Sequence, residues 1–249
     1  MNRTEPAPNA TRATTVSGVR LRFAACGAVF FAALVALGTG LTGGVASAGT
    51  LAAVLVYLVA MVLCLQALEG YPHRALGLCN VVTLFRLVLV CGLIAVLVTP
   101  AAGPWTIFGI AATTLALDGV DGWLARRGGH VSDFGARFDM EVDGVLALVL
   151  ALLAYAGGHA GGFIVLLGLP IYLFRGAQIM LPWLKGDLPA RFSRKLVCVV
   201  QIAVLIGVLL PVVGRPLGDL LAGGAALALV WSFAVDIRHL RGARAWAFL

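Results

Sequence analysis

Charge is scarce in this sequence. Only 12% of its 249 residues are Asp, Glu, Lys or Arg, whereas 61% are hydrophobic. A soluble domain is roughly a quarter charged, so this chain cannot clothe a water-soluble globule, and its apolar content excludes a disordered protein. The 31 glycines and 10 prolines follow no collagen-like period, which removes a fibre. Cysteine pairing is also missing: Cys26, Cys64, Cys79, Cys91 and Cys198 form no CxxC and lie in or beside apolar runs. They read as small hydrophobes rather than disulfides or metal ligands. Alternating barrel segments are absent too. What remains is an all-α integral membrane protein, whose helices satisfy their own backbone hydrogen bonds in lipid.

Runs of about 20 apolar residues mark spanning helices. Eight are expected, at 23–43, 50–68, 80–98, 105–124, 136–156, 163–184, 193–213 and 217–235. The polar stretch 1–22 is expected to be a disordered tail rather than a signal peptide. The formal net charge of +7 is not spread evenly. Arg3, Arg12, Arg20 and Arg22 precede the first run; Arg74, then Arg126, Arg127 and Arg137, then Lys185 to Lys195, then Arg238 to Arg244 occupy alternate connections. The turns between them carry almost no charge. Such alternation is a topology signal that places both termini in the cytoplasm, in an inner or cell membrane, and no nucleic-acid partner is expected. Trp105, Trp183, Trp231 and Trp246 fall near run ends as interface anchors.

The acids are concentrated. Six of eleven, Asp118, Asp121, Asp133, Asp139, Glu141 and Asp143, lie within 26 positions, across the end of the fourth run and the start of the fifth. Ionised carboxylates beside hydrocarbon need cations or a wet cavity. Asp118 and Asp121 are three apart and share a helix face; Asp139 and Asp143 are four apart and share another. Two such faces on neighbouring helices make a hard oxygen site suited to Mg²⁺ or Mn²⁺, with ligands enough for two ions. Two metals side by side are a recurring device for displacement at phosphorus. Asp133 and Glu141 fall outside that register and read as capping or ion-pairing groups. Gly122 and Gly135 lie on the carboxylate faces, although glycine costs a helix interior about 1 kcal/mol relative to alanine; a bulky ligand approaching the backbone accounts for them.

The run Asp118-Gly-Val-Asp121-Gly122-Trp-Leu-Ala125-Arg126, followed by Gly135, Asp139 and Asp143, resembles the signature of the CDP-alcohol phosphotransferase (phosphatidyltransferase) family, with all eight fixed residues at the right spacing. The resemblance implies a six-helix core over 76–240, preceded by two additional helices within 23–75 and followed by a cytoplasmic tail, 241–249. It implies transfer of a phosphoalcohol group, expected to be phosphatidyl, from a CDP-alcohol lipid such as CDP-diacylglycerol to an alcohol acceptor with release of CMP. The site would lie at the cytoplasmic membrane edge of a homodimer active in phospholipid synthesis. Carried over residue by residue, Asp118, Asp121, Asp139 and Asp143 would hold two Mg²⁺ (or Mn²⁺) ions, and Asp143 would deprotonate the acceptor. Gly122, Ala125, Arg126 and Gly135 would line the CDP pocket, joined by Ser132 and by Asn80 and Thr83 of an Asn-x-x-Thr segment.

Basic residues later in the chain bear on the acceptor. Arg175 lies within an apolar run, where it reads either as an ion-pair partner of the aspartates or as an anion-binding group. The segment containing Arg191, Ser193, Arg194 and Lys195 is similar to the one that grips phosphorylated acceptors in the phosphatidylglycerol-phosphate and phosphatidylinositol-phosphate synthases, and equally fits a positive-inside anchor. An acceptor such as glycerol 3-phosphate or another phosphorylated polyol is therefore expected. Arg86 reads as structural or donor-facing, and His73, His130, His159 and His239 have no spacing that points to a shared metal. Two competing functions are a divalent-cation transporter and a catalytically silent relative. Transport sites tend to lie near the bilayer midplane, and the intact signature disfavours silence.

Overall fold

The computed structural model describes residues 8–185 and 192–246. All regular structure there is helical: α1 Pro8–Thr42, α2 Ala48–Ala67, α3 Leu78–Val98, α4 Pro104–Gly128, α5 Asp133–Ala156, α6 Pro170–Met180, α7 Phe192–Val208 and α8 Arg215–Trp246, with 3-10 turns at Leu68–Gly70, Gly162–Gly168 and Pro182–Lys185. Among the described residues, five helices are long and apolar enough to cross a membrane, or six if the bent pair Gly162–Gly168 and Pro170–Met180 is one span. The protein is an all-α integral membrane protein.

Three expectations need adjusting. The polar stretch ahead of residue 23 is helical from Pro8 onward, with proline in the first turn, where its missing N–H costs nothing. The expected run 163–184 is broken by 65°, because Pro170 opens α6 and cannot extend the preceding turn. The run 193–213 ends early: α7 stops at Val208, ahead of Pro211.

The chain divides into two compact units, Met1–Ala102 with Ala112–Val142, and Gly103–Ala111 with Asp143–Leu249. In the first, α3 packs against both α1 and α2. It is apolar nearly all round, as a helix buried among others must be, and most of its residues are buried. Gly49 has no side chain, so the start of α2 closes on the carbonyl of Ala95, and its N–H donates to Thr99 Oγ1 at 2.9 Å. Ser47 caps α2, its Oγ accepting from the Thr50 N–H at 3.1 Å. Tyr57 donates its hydroxyl to the Gly27 carbonyl at 2.9 Å, joining α2 to α1 by a satisfied polar contact in an apolar bundle. At the other end Phe23 of α1 meets Phe134 and Phe138 of α5 edge to face, with centroids 5.9 and 6.1 Å apart.

In the second unit α7 packs on α8. Gly168 allows its 3-10 turn to approach the backbone of Leu148, and Gln201 donates to the Leu167 carbonyl. Asp219 accepts from the Gly161 N–H at 2.6 Å, satisfying the turn before that segment.

Candidate active site

The site belongs to the first unit and is built from α3, α4 and the start of α5. On α3, Asn80, Thr83 and Arg86 recur every third residue and so share a face. All three are buried, at 1%, 3% and 0% exposure. A fully buried guanidinium costs several kcal/mol unless carboxylates meet it. They do. Arg86 Nη2 lies 3.1 Å from Asp118 Oδ1, and Nη1 lies 2.7 Å from Asp121 Oδ2 and 2.5 Å from Asp139 Oδ1. Thr83 donates its hydroxyl to Asp121 Oδ2 at 3.0 Å.

The i, i+3 spacing read from the sequence thus brings Asp118 and Asp121 to one place on α4, and α5 adds Asp139. One carboxylate oxygen from each of the three lies within 4.8 Å of the others. Three carboxylates outnumber one guanidinium by two charges, and carboxylate oxygen is the donor that hard divalent cations prefer. The donor set therefore fits such an ion. Accessibility rises across the cluster: the side chain of Asp121 is 4% exposed, that of Asp118 23% and that of Asp139 39%. One edge of the cluster is open to a ligand.

That edge faces a pocket whose walls carry every residue expected to bind CDP. Asn80 and Thr83 come from α3, and Gly122, Ala125 and Arg126 from α4. Ser132 and Gly135 come from the turn into α5. Ser132 is also the cap of that helix, its Oγ accepting from the Gly135 N–H at 3.0 Å. A side chain at Gly135 would place Cβ 3.0 Å from Asn80 Oδ1 and 3.2 Å from Ser132 Oγ, so glycine keeps this wall open. At Gly122 a Cβ would meet only the end of Arg126, at 3.3 Å. Asp133 sits in the first turn of α5, where a carboxylate interacts favourably with the helix dipole, while the cap itself is Ser132.

Other expected residues belong to the second unit. Asp143 follows Asp139 by one turn of α5 and belongs to the second unit, as do Arg175 on α6 and Ser193, Arg194 and Lys195 on α7. Arg194 Nη1 stands 3.5 Å from Asp236 Oδ2 of α8, so part of its charge is spent on a structural pair. Arg191 lies outside the described residues.

Two groups carry more than the sequence reading gave them. The cation at the aspartates is Arg86; a lone Arg in an otherwise apolar helix, in register with Asn80 and Thr83, was the available signal. The second is an aromatic chain beside the pocket. His130 lines the wall, its ring 5.3 Å from that of His73, which lies 5.4 Å from Tyr71, itself 5.9 Å from Phe134. His73 Nε2 also bonds the Val131 carbonyl oxygen at 3.0 Å. Burial pushes the Tyr71 phenol above its ordinary pKa, against the hydrogen bonds it receives from Gly77 and Asn80, so it is a protonated hydroxyl at neutral pH.

Carboxylates gathered from two helices of a membrane protein, two of them lining one pocket, suit a membrane enzyme whose charged substrate is held through a hard cation. The chain belongs to the CDP-alcohol phosphatidyltransferase family, whose model matches residues 76–235. No curated protein and no solved structure matches it. The family uses a CDP-alcohol donor and an alcohol acceptor in the membrane and depends on a divalent metal.

Proposed function

We propose that the protein transfers a phosphatidyl group from CDP-diacylglycerol to the hydroxyl of a phosphorylated polyol such as glycerol 3-phosphate, releasing CMP, as a step of phospholipid synthesis at the cytoplasmic membrane edge. The observation that carries this reading is the convergence of Asp118, Asp121 and Asp139 beside the pocket lined by Asn80, Gly122, Arg126 and Gly135, in a chain of this family.

Asp118, Asp121 and Asp139, with Asp143 one turn on, are the residues that would hold divalent ions. Mg²⁺ there would neutralise the pyrophosphate and stabilise charge on the leaving CMP. Arg126 adds a fixed positive charge on the pocket wall, where leaving-group charge develops. Asn80, Ser132 and the open walls at Gly122 and Gly135 receive the nucleotide. Asp143 accepts the proton of the acceptor hydroxyl as its oxygen bonds to the phosphorus bearing the alcohol and the bridging P–O bond to CMP breaks. Arg175, Arg191, Ser193, Arg194 and Lys195 form the basic set that recognises the acceptor's phosphate.

The test is CMP release by purified full-length protein from CDP-diacylglycerol with Mg²⁺, against a panel of phosphorylated and neutral acceptors. Release that is fastest with a phosphorylated polyol supports the reading. Absence of CMP with every acceptor, accompanied by Mg²⁺ flux across proteoliposomes, overturns it in favour of transport.

A further inference from the structure

Residues ahead of the family segment bond to residues of the pocket wall, which gives the chain upstream of residue 76 a part in shaping that pocket. The contact runs through Tyr71, in the connection between α2 and α3. Its side chain is held between two rings, Phe134 at 5.9 Å and 90° and His73 at 5.4 Å and 72°, and the residue is 6% exposed. Its hydroxyl receives two hydrogen bonds, from the Gly77 N–H at 3.4 Å and from Asn80 Nδ2 at 3.0 Å. A phenol oxygen offers limited acceptor capacity, and here Gly77 and the Asn80 amide both draw on it.

The consequence falls on Asn80. With Nδ2 turned to Tyr71, the other end of the amide, Oδ1, points towards Gly135, where the missing Cβ would have stood 3.0 Å away. Both residues line the pocket. A buried amide presents Oδ1 or Nδ2 to a ligand according to which end its neighbours engage, and here the Tyr71 oxygen takes Nδ2.

We infer that Tyr71 is a positioning residue for the donor pocket: it fixes the Asn80 amide so that Oδ1 is presented as an acceptor for an N–H or O–H group of the nucleoside. This rests on the proposed use of a CDP-alcohol donor. In CDP the matching group is either the exocyclic amine of the base or a ribose hydroxyl. Tyr71 touches no reacting atom, so its removal acts on donor affinity and leaves the chemical step alone. The loop carrying it is in turn tied to the pocket wall by His73 and Val131, which makes the upstream segment a brace for nucleotide recognition.

The test is a double-mutant cycle in full-length protein, with Tyr71→Phe, Asn80→Ala and the pair. It reads Kd for CDP and, with CDP-diacylglycerol, KM and kcat separately. Tyr71→Phe keeps the ring between Phe134 and His73, so folding is preserved, and melting temperature checks this. Expected are a rise of about tenfold in Kd and KM for Tyr71→Phe, kcat within about twofold of wild type, and no further loss when Tyr71→Phe is added to Asn80→Ala. A dideoxy-ribose analogue of CDP separates the two sources: the Tyr71→Phe effect persists if the base amine is bound and vanishes if a ribose hydroxyl is. Unchanged Kd in Tyr71→Phe, or independent losses that multiply in the pair, overturns the role of Tyr71 alone. A wild type that binds no CDP overturns the donor reading, and the role of Tyr71 with it.

Discussion

Arg86 of α3 reaches Asp139 of α5 with Nη1 2.5 Å from Oδ1, joining helices that no sequence motif links. The same guanidinium holds Asp118 and Asp121, so one buried cation keeps three carboxylates together that would otherwise repel. Removing one partner from a buried charge network costs about 3–5 kcal/mol, because the others are left uncompensated. Arg86→Gln is therefore expected to lower the melting temperature of the metal-free protein sharply. Added Mg²⁺ then raises the melting temperature more in Arg86→Gln than in wild type, since the ion supplies the missing charge. Thermal melts with and without Mg²⁺ check both.

Gly135→Ala puts a methyl group 3.0 Å from Asn80 Oδ1 and 3.2 Å from Ser132 Oγ, on two side chains already engaged by Tyr71 and by the start of α5. The donor KM rises by about tenfold or more, while the capped start of α5 keeps the fold. Gly122→Ala meets only the flexible end of Arg126 and is expected to have a smaller effect. Steady-state kinetics on the two variants, side by side, give the comparison.

Asp143→Asn removes the proposed proton acceptor and leaves a side chain of nearly the same shape. CMP release falls by about 10²-fold or more, and CDP-diacylglycerol binding stays measurable. Equal turnover by variant and wild type removes Asp143 from that role.

Arg175→Ala is expected to raise KM for phosphorylated acceptors and to leave a neutral polyol unaffected. A uniform loss across acceptors assigns Arg175 to structure instead. Arg194→Ala, which removes the 3.5 Å ion pair to Asp236, lowers melting temperature as well.

The helices were legible because each needs about 20 apolar residues, and α2, α3, α4 and the apolar part of α1 lie within a few residues of their expected bounds. The breaks were harder. Pro170 and Pro211 lie inside or beside apolar runs, and hydropathy alone is blind to the missing N–H that stops a helix there. At the site, the pair Asp118 and Asp121 followed from helical periodicity, Asp139 from the expected meeting of two carboxylate faces, and the pocket residues from the family resemblance. Arg86 and Tyr71 did not, for a common reason. Their roles depend on partners 53 and 9 residues away on another element or turn, and a single sequence records no such pairing.

Divalent-ion binding by the carboxylate cluster is measured most directly by titrating Mn²⁺ into purified protein and counting bound ion by electron paramagnetic resonance. Wild type is expected to bind Mn²⁺ displaceable by Mg²⁺, and Asp121→Asn to lose it while remaining folded. Equal Mn²⁺ binding by wild type and Asp121→Asn would contradict a metal held among Asp118, Asp121 and Asp139.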